Sequence, residues 1–471
     1  MIALSFIGFL AMFLLIGLWS VRESKGTRED YYVAGRSIKP WLTGLSAVAT
    51  NNSGYMFIGV IGYTYVTGLA SIWLMLGWIA GDFIASLMIH KRLRIAVERS
   101  NETSFAGAIS HWNNQRMPHW QRLMGLISII FLLTYAAAQL VAGSKALHVL
   151  LGWPAWSGMV TGAVMVGFYC MAGGIRASVW TDAAQSVVMI VAMGLLLASG
   201  IISLGGAGHA WVRMGEIPGF LNWFPDDLAF PGLAGGLLFA LAWLFAGFSV
   251  AGQPHIMIRF MMLDDPKKFT QMRIWYYLWF FLFYAAATGV GMVSRVYLAN
   301  AGGFDAEVAL PLMASQLFSP FLIGLVLAGI FAATMSTADS LILSCSSAIT
   351  HDVLPHRLEK TYLIKFATLS ITCVALLLAL TGPSSVFSLV VFSWSALASA
   401  FAPLICVMAY GGQPSEKLAI VMTFIGLSVA IGWRLLGWHT FVYEGMPGIL
   451  AGLLVFAVAQ VGKRNHFRRL A

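Results

Sequence analysis

Charge is what this sequence has least of. Only 10% of its 471 residues are charged, against 59% hydrophobic, whereas a soluble domain carries roughly a quarter charged residues. So few polar groups cannot cover a globular surface, and a soluble fold is excluded. Cysteine is scarce too. Cys170, Cys345, Cys373 and Cys406 fall inside apolar stretches without CxxC spacing, which reads as small buried hydrophobes rather than a metal site or disulfide framework. No GxxxxGK[ST] phosphate loop occurs, and no connection is long enough for a nucleotide-binding domain, so ATP-driven work is not expected. No Ser-His-Asp, metal-binding or cofactor constellation is visible, and the histidines are dispersed; the chain does not read as an enzyme. The first apolar stretch lacks a basic start and a small-residue cleavage site, so it reads as a retained helix rather than a secretory signal.

What is present is a succession of about thirteen membrane-length apolar segments, each about 20 residues or more. They run near 2–21, 40–66, 68–90, 122–148, 155–173, 177–204, 232–258, 272–300, 319–349, 362–380, 384–410, 416–436 and 446–462. The chain is therefore expected to be an all-α polytopic membrane protein forming one transporter-sized domain. With the N-terminus outside, the connections expected inside carry Arg22, Lys25, Arg28, Arg36, Lys39, Lys91, Arg92, Arg94, Arg99, Arg116, Arg122, Arg176, Arg259, Lys267, Lys268, Arg273, Arg357, Lys360, Lys365, Lys417, Lys463, Arg464, Arg468 and Arg469. Only Lys145, Arg213, Arg295 and Arg434 remain on the other side. That asymmetry places the C-terminus in the cytoplasm. It also explains the formal charge of +9 without nucleic-acid binding.

The ninth segment holds the clearest polar pattern. In FAATMSTADS, Ala333, Ser336, Thr337 and Ser340 recur at i, i+3, i+4 and i+7, which stacks them on one helical face. Asp339 lies on the edge of that face, and a carboxylate at membrane depth marks an ion or substrate pathway. Hydroxyls, a carboxylate and a small backbone contact are oxygen donors suited to a hard cation; a small-residue packing face is the other reading.

Two other segments are interrupted. Thr50, Asn51, Asn52, Ser53 and Gly54 fall mid-span in the second, and Gly247, Ser249, Gly252, Gln253 and Pro254 in the seventh. Such residues compete for backbone hydrogen bonds or remove a donor. Corresponding breaks five segments apart point to inverted repeats with a midplane site. In the sixth segment, GGIRASVWTDAAQ puts Asp182 roughly 9 Å from the end marked by Arg176, close to the depth expected of Asp339. A third intramembrane acid, Asp82, sits mid-span in the third segment and reads as a gating or packing residue.

The ordered motifs DYYVAGR (30–36), TNNSG (50–54), GGIRASVWTDAAQ (173–185), GQPHIMIRFM (252–261) and MSTADSLILSCSSAITHD (335–352) resemble the sodium:solute symporter family, nearest its proline-symporter branch. The resemblance implies a LeuT-like core of inverted five-helix repeats. Residues 1–38 would be a leading helix and loop, 39–204 the first repeat, 205–410 the second with its preceding loop, and 411–471 two trailing helices. It implies sodium ligands at Ala49, Asn52, Ala333, Ser336 and Thr337, and a second cation site at Asp182, Ser336, Asp339 and Ser340. The solute is expected between the breaks, at Asn51, Ser53, Gly54, Ser249 and Gln253, flanked by Tyr135, Gln139 and Trp394. Two departures stand out. Proline-transporting members carry Trp and Tyr where this chain has Ala246 and Val250, and an Asp where it has Asn51.

The implied activity is sodium-coupled symport of a small polar solute, an amino acid such as proline or a carboxylate, through the cell (inner) membrane by alternating access. The partners expected are sodium ions, the solute and the bilayer, with no nucleic acid and a monomeric chain. The alternative is a transporter-like membrane sensor working with a separate signalling partner.

Overall fold

The computed structural model describes residues 1–20, 22, 27–299, 303–354 and 360–470. Lys25 and Arg357, assigned above to inner connections, lie outside them. Apart from one isolated bridge between Ile38 and Leu263, the regular elements described are helical. The principal ones are α1 (Ile2–Ser20), α2 (Pro40–Asn51), α3 (Ile61–Thr67), α4 (Ile72–Ala85), α5 (Lys91–Ser100), α6 (Pro118–Leu151), α7 (Ala155–Ser203), α8 (Gly232–Phe248), α9 (Pro254–Met261), α10 (Phe269–Tyr297), α11 (Pro320–Ser347), α12 (Thr361–Thr381), α13 (Val386–Ala409), α14 (Glu416–Leu435) and α15 (Gly445–Leu470). Pro40, Pro118, Pro254 and Pro320 each open a helix, where the missing N–H costs nothing.

Both expected interruptions are real. After α2, Asn52 leaves helical geometry at φ −85° and ψ 5°, and a wider turn over Tyr55–Val60 precedes α3. After α8, a tight turn over Ser249–Gly252 leads to Gln253, extended at φ −99° and ψ 99°, and Pro254 restarts the helix as α9. A third break divides α7 at Gly174 (φ 56°, ψ −143°). A Cβ there would lie 2.6 Å from the Tyr31 ring, so only glycine fits.

Ten helical runs among the described residues are long and apolar enough to cross a membrane, with two shorter apolar helices at Ala155–Phe168 and Gly445–Val461. The run Tyr55–Ser100 counts once although Gly68 turns away from helix within it at φ 70° and ψ −141°. Length and composition alone therefore do not fix thirteen crossings.

α11 is the axis of the bundle. It packs on α7, α6, α1 and α2, and 89% of its apolar window is buried, against 17% for the peripheral α1. α4 and α8 pack closely through small residues: a Cβ on Gly81 would meet Leu244 O at 1.9 Å, and one on Gly247 would meet Trp78 O at 2.0 Å. Glycine permits such contact where hydrocarbon gives no hydrophobic drive between helices.

The basic residues divide differently from the sequence reading. Arg176 and Arg259 are buried rather than facing water, because each serves a buried acid. Arg176 donates to Asp30 Oδ1 at 2.6 Å, tying the DYYVAGR loop to α7; Arg259 reaches Asp182. On the other side, Lys145 pairs with Asp305 and Glu307, both at 2.6 Å, and Arg434 with Glu444 at 2.7 Å. Asp305, in a connection, is held below the usual carboxylate range: desolvation pushes it up, and the Lys145 ammonium and the Glu307 backbone N–H more than offset that. Cys170, Cys345 and Cys406 are buried as expected, but Cys373 is exposed on α12, at a groove it shares with Ala163, Gly167 and Phe168 of α7 that leaves the thiol uncovered.

Candidate functional site

The polar face of α11 meets the break after α2. Thr337 Oγ1 donates to the Thr50 carbonyl at 2.8 Å, and Thr50 Oγ1 lies 3.4 Å from Ser340 Oγ. Asn52 donates through Nδ2 to Val48 O at 2.9 Å, leaving Oδ1 buried without a partner; Ser336 Oγ is likewise buried and unpartnered. Ala49 and Ala333, on the two packed helices, are fully buried. Unsatisfied buried oxygens are costly and call for an explanation. Here they accumulate where oxygen donors for a hard cation were expected.

The break also contacts α6. Gln139 Oε1 accepts from Gly54 N at 2.9 Å, and Tyr135 OH donates to Ser53 Oγ at 3.2 Å. A Cβ on Gly54 would meet Thr334 Cγ2 at 2.5 Å, so the absent side chain lets the chain approach α11. In the second break, Gln253 Nε2 donates to Ser249 O at 3.1 Å and Trp394 O at 2.9 Å. Trp394 Nε1 donates to the Ala246 carbonyl at 2.8 Å, so the α13 indole flanks one position where an aromatic side chain is replaced. The His255 ring lies 5.4 Å from Tyr135 and 6.4 Å from Trp394, between the aromatic side chains that flank the two breaks. Gln139 Nε2, Gln253 Oε1 and both His255 nitrogens are buried without partners.

Asn51 goes elsewhere. Its Nδ2 donates to Asp82 Oδ2 at 3.0 Å and Tyr276 OH at 2.6 Å. Asp82 also accepts from Tyr276 at 2.9 Å and Tyr277 at 2.6 Å. This carboxylate is thus a fastener joining α4, α10 and the end of α2, through partners that sequence spacing did not indicate.

The two acids of the proposed second cation site come together, with an arginine between them. Arg259 Nη2 donates to Ser178 Oγ at 2.7 Å, to Asp182 Oδ2 at 3.3 Å and to Ser340 Oγ. Asp182 Oδ2 accepts from Ser46 at 2.6 Å; Asp339 Oδ1 accepts from Ser178 at 3.1 Å and Ser340 at 3.0 Å. Two carboxylates and one guanidinium leave the cluster with one negative charge in excess when all three are ionised. Arg259, Ser46 and Ser178 escaped the sequence reading. The signal for Arg259 was a lone cation inside the apolar run IMIRFMM.

The sodium:solute symporter family matches residues 31–426. The chain belongs to that family. Among curated relatives of this symporter, the high-affinity proline transporter of Bacillus subtilis (strain 168) is 28% identical over 95% of this chain and 95% of its own. The sodium/proline symporter of Escherichia coli (strain K12) is 29% identical over 94% of this chain and 90% of its own. The substrate-bound, outward-open structure of a Na+-coupled sialic acid symporter, described as revealing a novel Na+ site, superposes with a TM-score of 0.81 at 17% identity, covering 96% of each chain. The symporter thus has the all-α, LeuT-like fold expected, spans the membrane several times, uses sodium as its coupling ion and is a transporter rather than an enzyme.

Proposed function

We propose that this symporter takes up a small amino acid or related carboxylate, with one sodium ion held by the Ala49, Asn52 and Ala333 carbonyls and the Ser336 and Thr337 hydroxyls. The observation that carries the reading is the Thr337–Thr50 bond beside the orphaned Ser336 Oγ and Asn52 Oδ1. A cation at this junction would satisfy those oxygens and fasten the break to α11. Moving α11 or the break would then release it, which is the coupling that alternating access requires.

The solute would lie between the breaks, against Ser53, Gly54, Ser249 and Gln253, with Tyr135, Gln139 and Trp394 beside it. Asn51 would contribute through Oδ1, since its amide is committed to Asp82 and Tyr276. Exposed backbone amides at a helix break favour a carboxylate. Relatives named as proline transporters favour an amino acid. Ala246 and Val250 remove two aromatics from the pattern of those relatives, so proline is not expected to be the best solute. A second cation would occupy Asp182, Ser336, Asp339 and Ser340, neutralising the charge that Arg259 leaves over; the sialic acid symporter's novel Na+ site is a precedent in the same fold.

The remaining layout is the one the sequence implies: inverted repeats over 39–204 and 205–410, thirteen crossings, N-terminus outside, C-terminus cytoplasmic, a monomer in the cell (inner) membrane. At 100 mV a charge supplies about 2.3 kcal/mol, and a tenfold sodium gradient adds about 1.4 kcal/mol. Together, about 3.7 kcal/mol sustains roughly 500-fold accumulation of a neutral solute per ion. Uptake into proteoliposomes across amino acids, carboxylates and sugars, with and without a sodium gradient, tests the reading. Sodium-driven uptake of an amino acid other than proline is expected. Proline uptake exceeding every other solute would overturn the specificity, and uptake indifferent to sodium would overturn the coupling.

A further inference from the structure

The helical run that begins with α4 changes character at its far end, on the side that the basic connections mark as inner. Along α4 and the wider turn over Ser86–His90, Leu76, Phe83 and Leu87 are exposed. They recur at i, i+7 and i+11, which makes one outward apolar stripe. Lys91 continues the stripe and is exposed as well. On the adjoining face of α5, Arg92, Ile95 and Arg99 recur at i, i+3 and i+7. Arg92 is roughly 7 Å beyond Leu87 along the axis, about the thickness of one headgroup layer. Apolar side chains therefore give way to cations at the level of the lipid phosphates.

Arg92, Ile95 and Arg99 form one wall of a cavity of about 310 Å³, within the range of small-molecule sites. The loop over 111–114 and the end of α13 complete it. Asn113 and Asn114 are both left-handed, at φ 55° and 60°, a conformation that asparagine tolerates. Asn113 Nδ2 donates to the Met408 carbonyl at 3.3 Å, which fixes the loop to α13. Arg92 is held from two sides: Nη1 donates to Met88 O at 2.9 Å, and the guanidinium lies 4.1 Å over the Tyr410 ring. Its Nε and Nη2 are left for a ligand. Arg99 makes no hydrogen bond or ion pair among the described residues.

Acids are kept off these walls. No Asp or Glu among the described residues lines the cavity. Glu98, beside Arg99 in sequence, pairs with Arg94 at 3.4 Å. Glu102 lies 3.4 Å from His111 through Oε1 and 2.5 Å from His351 through Oε2. Two guanidiniums with amide side chains beside them complement one negative charge rich in acceptors, which a phosphodiester supplies. A zwitterionic headgroup would bring its own cation against Arg92 and Arg99.

We propose that this cavity binds the headgroup of an anionic phospholipid, with the phosphodiester on Arg92 and Arg99 and an acyl chain along the stripe of Leu76, Phe83 and Leu87. The stripe is what favours a lipid over free phosphate, which has nothing to lay against it. Bound there, the lipid ties α5 to the end of α13. The site uses none of the sodium or solute residues, so it stands or falls apart from the transport reading.

The test uses the full chain, purified in detergent and stripped of native lipid, with native mass spectrometry to titrate lipid binding. One molecule of phosphatidylglycerol is expected to bind about tenfold or more tighter than phosphatidylcholine of the same chains. At roughly a factor of five per basic residue, Arg99→Gln should weaken it about fivefold and Arg92→Gln/Arg99→Gln about 30-fold. Lys267→Gln removes the same charge from another exposed position and should leave the affinity unchanged. Melting in lipid-free detergent checks that Arg99→Gln is folded, as the loss of an unpartnered side chain predicts. Equal binding of phosphatidylcholine, equal weakening by Lys267→Gln, or wild-type affinity in the double variant overturns the site. Displacement of phosphatidylglycerol by equimolar inorganic phosphate would assign the cavity to a free anion and overturn the lipid.

Discussion

Removing one hydroxyl from α11 separates a sodium ligand from a packing residue. Thr337 Oγ1 lies 2.8 Å from the Thr50 carbonyl, in a region with no exposure to solvent. As an ordinary hydrogen bond it contributes about 0.5–1.5 kcal/mol to stability, whereas a bond to a charged partner contributes about 1.5–3 kcal/mol. At 1.4 kcal/mol per decade, Thr337→Ala should therefore raise half-saturating sodium by about 10- to 100-fold. Thr337→Ser keeps the oxygen and loses only a methyl group, so its sodium dependence should stay within about threefold of wild type. Sodium-dependent thermal shift reads this without a known solute. Sodium at 100 times its Kd stabilises the folded state by about 2.7 kcal/mol, and a 100-fold weaker variant retains about 0.4 kcal/mol. If the alanine variant keeps the wild-type sodium response, or the serine variant loses as much as the alanine one, the ligand assignment is wrong.

Other predictions concern the break, the fastener and the acid pair. Gly54→Ala drives a Cβ to 2.5 Å from Thr334 Cγ2, whereas Gly143→Ala meets nothing closer than 3.4 Å; uptake should collapse in the first and survive in the second. Asp82→Asn replaces an acceptor of three donors with a group that presents its own N–H, and should cost about 1–3 kcal/mol of stability in chemical denaturation; an unchanged midpoint would show that the fastener is idle. Asp182→Asn should lower the charge moved per solute in proteoliposomes and bring the Hill slope for sodium toward one. A wild-type ratio already at one, with a neutral solute, would rule out a second transported sodium.

The parts of this architecture that follow from local chemistry were legible in the chain. The two breaks show because Asn, Ser, Gly and Pro cannot continue a helix cheaply, and the α11 face shows because Ala333 and three small polar residues keep a helical period. Partner choice between helices was not legible. Asn51 sits in the same five-residue break as Ser53, yet its amide crosses to Asp82 and Tyr276, a pairing set by the packing of α4 and α10. Arg259 counted as an inner-loop cation because it falls just past the seventh segment, taken as 232–258; only the approach of α7 and α11 shows it serving Asp182. Arg434 and Glu444 lie ten residues apart around a turn, and nothing in their spacing reveals that they line the same cavity as Tyr63 and Trp243.

The central claim is that sodium held between the α2 break and α11 drives the solute. Paired fluxes of radioactive sodium and labelled solute into proteoliposomes, in wild type and in Ser336→Ala/Thr337→Ala, test it most directly. The account predicts coupled fluxes in fixed ratio in the wild type, and loss of both in the double variant at sodium concentrations that saturate the wild type. Solute uptake that persists in the double variant with unaltered sodium dependence would contradict it.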